Sequence, residues 1–515
     1  MKFENDLKFE DIKILLLLII TAAAVWYLNY VVHFNGFFWS DSHDYNQMAR
    51  NLFEGKGFST SVLRPISFLD YKILPHPEYT RPPLYPYCLA AAYHIFGVND
   101  TAVAVVNGFF YVCFVAATFF FCRQFSGSAL TALAVTATAG LSSWFLSMSI
   151  MGSTDIVFAA LFMIFLYFYM KLPQKPFFIG LLTGILYITR WNAVFIAAAI
   201  VLTEYNPIFQ WRRWKKTAAF GAGVILTASP VLLRNMFLQG AAMSSINSAG
   251  FISGGESLPG YFYIAQLTPV SVWEFIRTHP WEIFYADISK FRMLLEDFPA
   301  DYGVPMLMLM LGGAFVTFRQ DNRLRVKRLI IITALIQTVM LVLTNAEPRY
   351  YGFLVPALVL FVFDFFKQRQ SARIEYIAYV LCFLLVVASS AGFWKTGKTD
   401  NRYKILAGEI KAETAKDDVI ISDMAWAISW YGDRRTVWLT YDPASLDVIS
   451  KAIPIKYAFI SLETVYHPLL RYKDKVWQNL LLNRGTYTVP GFSFVKMLYV
   501  NNYPVGALYR IGPAN

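Results

Sequence analysis

Charge is scarce in this chain. Of its 515 residues only 15% are Asp, Glu, Lys or Arg, while 57% are hydrophobic; a water-soluble domain usually carries about 25% charged residues. Too little polar side chain is present to cover a soluble fold of this length, so the bulk of the chain belongs in lipid. Cysteine is scarce too. Cys88, Cys113, Cys122 and Cys382 all lie in or beside apolar runs, and the polar segments hold none, which excludes a disulfide framework and a cysteine zinc site. Internal repeats, low-complexity tracts and a basic stripe are also missing. The net charge of +11 would suggest nucleic acid in a soluble protein. Here the excess sits in short connections between apolar runs, as membrane topology requires, and no nucleic-acid partner is implied.

What is present is a series of long apolar runs. A helix needs roughly 17 to 25 residues to cross a hydrocarbon core of ~30 Å. Runs of this kind lie near 12–33, 99–122, 127–149, 154–171, 174–189, 191–206, 215–237, 302–318, 327–345, 350–367 and 374–394. They predict a polytopic α-helical membrane protein with about eleven transmembrane helices. The fifth and sixth runs are short and nearly fused. Segment 83–97 is apolar but shorter still and closes on Gly97, which predicts a re-entrant or interfacial helix.

Lys and Arg fall in alternate connections: Arg123; Lys171 and Lys175; Arg212, Arg213, Lys215 and Lys216; Arg319, Arg323, Arg325, Lys327 and Arg328; then Lys367, Arg369 and Arg373. Cytoplasmic loops carry such an excess. The N-terminus is therefore expected inside, and residues 34–98, 238–300 and 396–515 outside, in a multi-pass protein of the inner or plasma membrane. The run after Lys13 also has the make-up of a signal-peptide core, with Ala22–Ala24 as a cleavage site; its length favours an uncleaved anchor. Beyond residue 395 the apolar runs shorten to strand length at 418–423, 436–440, 457–462, 492–500 and 506–511, with helix-like stretches near 402–415, 443–452 and 470–483. This predicts a transmembrane domain over 1–395 followed by a small extracytoplasmic α/β domain over 396–515.

Ionisable groups held near lipid are costly and usually have a partner or a task. Asp41, Ser42 and Asp44 come directly after the first span. Tyr45, Met48, Ala49, Leu52 and Phe53 then recur at helical spacing, which predicts an amphipathic helix on the membrane surface. Four further outer helix ends carry charge: Arg81-Pro82-Pro83, Asp155 at the start of the fourth span, Arg190 between the fifth and sixth, and Glu347-Pro348-Arg349-Tyr350 between the ninth and tenth. Each also has a plain structural reading. Asp41 or Ser42 could cap its helix, Asp155 complements a helix dipole, Arg81 and Arg190 could snorkel to headgroups, and Glu347 with Arg349 could be an isolated ion pair. As a set, these carboxylates and arginines suit attack of an acceptor hydroxyl on a sugar carried by a lipid phosphate. One carboxylate takes the hydroxyl proton, and the arginines hold the phosphate as charge builds on it.

The sequence also resembles the GT-C glycosyltransferases of the protein mannosyltransferase and lipid A aminoarabinose transferase type. The resemblance rests on residues 41–57 as D-x-x-x-Y-x-x-x-A-x-x-L-x-x-G-x-G, on Arg81-Pro82-Pro83-Leu84-Tyr85, on Asp155 at a helix start and on residues 180–192 as G-L-L-x-G-x-x-x-x-T-R-x-N. Pro230 with Arg234-Asn235, and Arg349-Tyr350 ahead of Pro356, complete it. It implies an inverting transferase at the outer face of the cell envelope, with a polyprenyl-phosphate sugar as donor and a lipid, glycan or protein as acceptor. Asp41 matches the catalytic base and Asp155 the second acid. Arg81 stands where lysine is common beside the donor phosphate, and Arg349 with Tyr350 matches a later phosphate-binding position. Arg190, Tyr45 and Glu347 complete the expected substrate contacts. Asp44 departs from the commonest pattern and would share or compete for the base role, and Asp41 with Asp44 at D-x-x-D spacing would also suit a divalent ion if further acidic ligands stood close. A lipid-linked glycan flippase or an O-antigen ligase-like polymer transferase are the competing readings. A transporter would be expected to show inverted repeats and charges at mid-membrane depth.

Overall fold

A backbone in lipid has no water to pair with, so each crossing segment must satisfy its own N–H and C=O groups, and the apolar runs fold as helices. The computed structural model describes residues 9–205, 214–240, 250–255, 257–258, 262–267, 270–316, 321–369, 372–466, 476–483 and 487–512. Among them six helices are long and apolar enough to cross a membrane: Glu10–His33, Asp100–Ser126, Thr154–Lys171, Trp214–Leu238, Asn322–Leu343 and Pro348–Lys367. Five shorter apolar helices, Ala129–Gly140, Pro176–Thr189, Ala193–Glu204, Val304–Phe315 and Tyr379–Lys395, fall on the remaining expected runs. The third run is not one span. It breaks after Gly140 and restarts as Ser143–Met148, so its first piece, at 1.5 Å per residue, reaches about 18 Å. Arg212, Arg213 and Arg319 of the basic connections, and 470–475 of the last helix-like stretch, lie outside the described residues.

The helix Asp100–Ser126 sits among Phe9–His33, Ala129–Gly140 and Thr154–Lys171. Pro176–Thr189 and Trp214–Gln239 approach backbone to backbone: a Cβ at Gly180 would lie 2.1 Å from the Phe220 carbonyl oxygen. The glycines of the 180–192 pattern thus serve close helix packing, the usual use of small residues between membrane helices. At the end of the bundle where the first helix starts, the cations of the short connections meet acids, of which Asp11 and Asp364 are buried and Glu204 is half-buried. Arg123 lies 2.9 Å from Asp11, Arg323 2.8 Å from Asp364 and Arg325 2.9 Å from Glu204.

At the other end lies a six-stranded sheet in the order 62–63, 435–438, 419–422, 455–461, 503–511, 492–500. Its first four strands run parallel and the last two form an antiparallel hairpin against them. The strand Val62–Leu63 comes from the loop that follows the first helix and the helix Ser40–Phe53, so that loop and the C-terminal part share one sheet.

Between the two layers runs the helix Ser40–Phe53, and here the structure departs from the expected surface helix: residues 42–51 are all buried. Gln47 and Asn51, four apart and so on one face, hydrogen-bond Thr60 and the Ser59 carbonyl at 2.7 and 3.0 Å. Arg50 donates to the carbonyls of Trp430 and Ser429 at 3.0 and 2.7 Å and pairs with Asp433 at 3.2 Å. The polar face that read as solvated is covered by protein, because its side chains find their partners in residues that follow the helix in the loop and in residues from the far end of the chain.

Candidate active site

Asp41 occupies the first turn of this helix, behind an extended Trp39 that makes no side-chain cap. Its carboxylate does not cap the helix. Oδ1 accepts from Nη2 of Arg81 at 2.7 Å and Oδ2 pairs with Nη2 of Arg349 at 2.9 Å. The two arginines come from opposite parts of the chain. Arg81 stands just ahead of the helix Leu84–Phe96, the segment expected to be re-entrant or interfacial, and Arg349 lies in the seven-residue 3-10 stretch Pro348–Leu354 that opens a long apolar helix. Arg190 ends the helix Pro176–Thr189 and is ion-paired with Asp155 in the first turn of Thr154–Lys171. Gly152, at φ +66°, makes the turn into that helix, and a Cβ there would sit 2.8 Å from the Phe37 ring.

Aromatic faces hold the guanidinium groups in place. Arg190 lies over the Tyr350 ring at 4.8 Å from its centroid, and Arg349 lies over Trp39 and Tyr350 at 5.5 and 5.3 Å. Arg81 stands 5.6 Å from the Tyr45 ring centroid. A planar cation over an aromatic face keeps its edge donors free to bind anions. Glu347 is ion-paired with Arg349 and also accepts from Asn345 at 2.7 Å.

Behind this row lies a second ion-pair network. Asp44 accepts from Arg81 at 3.1 Å and from Arg64 at 2.8 Å, and Arg64 reaches Glu78 at 3.4 Å. Glu78 also accepts from the backbone N–H groups of Thr80 and Arg81 at 2.5 and 3.2 Å, which fixes the approach to Arg81. Arg234 donates to the carbonyls of Glu78 and Phe58 at 2.6 and 2.7 Å.

Burial alone would raise the pKa of Asp41, but the guanidinium groups of Arg81, Arg349 and Arg190 hold it well below the usual carboxylate range. Burial opposes ionisation of Glu78 as well, and Arg64 with Thr80 brings it down to about 2. Asp301, at the end of the helix Pro280–Tyr302, goes the other way: burial and the neighbouring Asp297 raise it to about 6 against the pull of Arg349.

The structure therefore brings together Asp41, Asp44, Tyr45, Arg81, Asp155, Arg190, Glu347, Arg349 and Tyr350 at one end of the bundle. Sequence reasoning missed Arg64 and Glu78, which lie in the loop after the helix Ser40–Phe53 with no periodic pattern around them, and Asp301, which the fold brings within electrostatic reach of Arg349. A divalent ion does not fit the Asp41 and Asp44 pair. One nitrogen of Arg81 already lies 2.7 and 3.1 Å from the two carboxylates, where a metal would have to sit, and the described residues contain no group of three or more acidic, histidine or cysteine ligands that could hold one.

Residues 80–233 match the family model described as dolichyl-phosphate-mannose-protein mannosyltransferase. That stretch holds Arg81, Asp155 and Arg190 and excludes Asp41 and Arg349. No curated protein matches the sequence. Among solved structures, the chain is similar to ArnT from Cupriavidus metallidurans bound to undecaprenyl phosphate, with TM-score 0.57 and 13% identity over 97% of this chain and 99% of that one. It is similar to the oligosaccharyltransferase AglB from Archaeoglobus fulgidus, in complex with an inhibitory peptide and a dolichol-phosphate, with TM-score 0.60 and 11% identity over 95% and 73%. A second structure of the Archaeoglobus fulgidus oligosaccharyltransferase, in complex with Zn and sulfate, gives 0.58 and 12% over 95% and 72%. The chain is a multi-pass membrane protein with the GT-C fold, which it shares with ArnT and AglB.

Proposed function

We propose that the chain is an inverting glycosyltransferase that moves a sugar from polyprenyl phosphate to an acceptor hydroxyl on the extracytoplasmic face, with Asp41 as general base. The observation that carries this reading is a single carboxylate held on both oxygens by arginines, with a third arginine close by. A lipid phosphate needs that guanidinium set, and an attacking hydroxyl needs the carboxylate. The solved structures of the same fold that hold undecaprenyl phosphate and dolichol-phosphate support the choice of lipid carrier.

In the reaction, the acceptor oxygen bonds to the anomeric carbon while the bond from that carbon to the phosphate oxygen breaks. The hydroxyl proton passes to Asp41. The phosphate leaves with the bonding pair, and Arg81, Arg190 and Arg349 offset its charge; a phosphate needs no acid to leave. A single displacement of this kind inverts the anomeric configuration. Asp41 held by two arginines is a weak base. An entering phosphate competes for the same guanidinium donors, and as it takes them Asp41 loses the cations that depress its pKa and gains basicity. The base is thus strengthened by the substrate it must act beside.

Asp155 and Glu347 hold Arg190 and Arg349, and Asp44 is tied to Arg64 and Arg81, so we assign these three acids to positioning the clamp. The acceptor is tested by mass spectrometry of surface glycans and lipids from cells carrying the wild-type gene, the Asp41→Asn gene or neither. A hexose or pentose increment present only with wild type supports the reading, and one unchanged by Asp41→Asn rejects it.

A further inference from the structure

Beside Asp41 lies a cavity of about 260 Å³ with two walls of different origin. Trp39, Asp41 and Arg349 line one, and Tyr403, Trp426 and Glu463 of the C-terminal domain line the other. Its volume is below the ~300 Å³ at which pockets for drug-sized ligands begin, a size for one ring rather than a chain of them.

The second wall is a built one. Trp426 and Glu463 follow the C-terminal ends of two adjacent parallel strands, Val419–Ser422 and Ile455–Ser461. The crevice beyond such strand ends is where open α/β sheets bind ligands. Buried Asp423 ties the two strand ends together, accepting from the Ser461 hydroxyl and the Thr464 hydroxyl at 2.6 Å each, and the Glu463 N–H in turn rests on the Ser461 hydroxyl at 3.1 Å. Tyr403 donates to Glu463 Oε1 at 2.5 Å and packs edge-on to Trp426, with ring centroids 4.8 Å apart. Trp426 also rests 4.9 Å from the His43 ring, on the helix that carries Asp41. Arg402 is ion-paired with Asp400 and acts on Glu463 only as a neighbouring charge, and no described cation lies within ion-pair distance of Glu463. Its carboxylate has acceptor sites left over in a cavity that Phe38, Trp39, Tyr403 and Trp426 line with rings and Ser40, Asp41 and Arg349 line with polar groups.

We infer that the C-terminal domain supplies a monosaccharide subsite facing Asp41, in which Glu463 accepts from ring hydroxyls and Tyr403 holds Glu463 in place. Ionised carboxylates accept hydrogen bonds at both oxygens, which suits neighbouring hydroxyls. The inference rests on the transferase reading for its purpose. The ring is that of the donor or that of the acceptor, since both present the same hydroxyl chemistry.

The test uses full-length protein in nanodiscs and three kinds of probe: decaprenyl phosphate, decaprenyl phosphate bearing single hexoses or pentoses, and a panel of methyl hexosides and pentosides. Glu463→Gln keeps the side-chain volume and an oxygen for Tyr403. It is expected to leave affinity for decaprenyl phosphate within twofold of wild type while weakening sugar binding about tenfold or more. If the loss falls on the sugar-bearing lipids, the ring is the donor's; if it falls on the methyl glycosides, it is the acceptor's. Tyr403→Phe is expected to give the same pattern at smaller size. Unchanged affinity of the Glu463 variant for every sugar-bearing probe overturns the inference, as does a loss that extends to bare decaprenyl phosphate. Failure of wild type to bind decaprenyl phosphate would instead sink the transferase reading, while the methyl glycosides still report on the cavity.

Discussion

Replacing Arg349 by Met removes the cation and keeps much of the apolar stem, and the structure lets the consequence be worked out. Arg349 pairs with Asp41 at 2.9 Å and with Glu347, and lies over two aromatic rings. A hydrogen bond from a charged group contributes about 1.5–3 kcal/mol, and each 1.4 kcal/mol is tenfold. Lost contact with the lipid phosphate is therefore worth roughly 10- to 150-fold in affinity. Asp41 competes with phosphate for the same guanidinium in the wild type, so the net loss is expected in the lower part of that range. Arg81 still lies 2.7 Å from Asp41, so the carboxylate stays ionised near neutrality and the variant is expected to lose donor binding before it loses the base. Titration of nanodisc-held protein with decaprenyl phosphate reads the effect. An Arg349→Met variant that binds the lipid phosphate as tightly as wild type would refute the assignment of this arginine to the clamp.

Glu78→Gln removes one of the two carboxylates that hold buried Arg64, and Asp44 remains at 2.8 Å; the loss is therefore expected below the about 3–5 kcal/mol of a complete one-sided break, and thermal unfolding in detergent at pH 7 is expected to show it. The folded pKa of Glu78 is about 2, below its ordinary value of 4.5. Its stabilising contribution is thus complete above about pH 4.5 and is lost as pH falls toward 2, so the difference between variant and wild type should shrink on acidification. Gly180→Val would force apart two helices whose backbones touch, since even a Cβ would lie 2.1 Å from the Phe220 carbonyl; a large drop in the yield of folded protein is expected, with Gly221→Ala, where nothing lies within 4 Å, as the neutral comparison.

The helices were readable because lipid imposes a simple rule, and the eleven apolar runs obey it except where Gly140 divides the third. The five strands of the C-terminal part were readable from short apolar runs. Val62–Leu63 was not, since two residues leave no pattern, and only its partner strand nearly 400 positions away explains why it is extended. The helix at Ser40–Phe53 shows the opposite failure. Its periodicity was read well, but its polar face meets protein rather than water, and periodicity records only that a face is different. For the site, Asp41, Arg81, Asp155, Arg190 and Arg349 stood out because charge at a helix end is expensive. Arg64, Glu78 and Glu463 did not, because in a loop or an α/β domain a charged residue is ordinary until its neighbours are known.

The most direct measurement is transfer itself, in nanodiscs, from labelled polyprenyl phosphate sugar to the acceptor identified from the cell-surface glycans and lipids. Wild type is expected to form a product of inverted anomeric configuration, and Asp41→Asn, folded and still binding the lipid phosphate, to be slower by about 10²- to 10⁴-fold. Equal rates for the two proteins, or a product of retained configuration, would contradict the account.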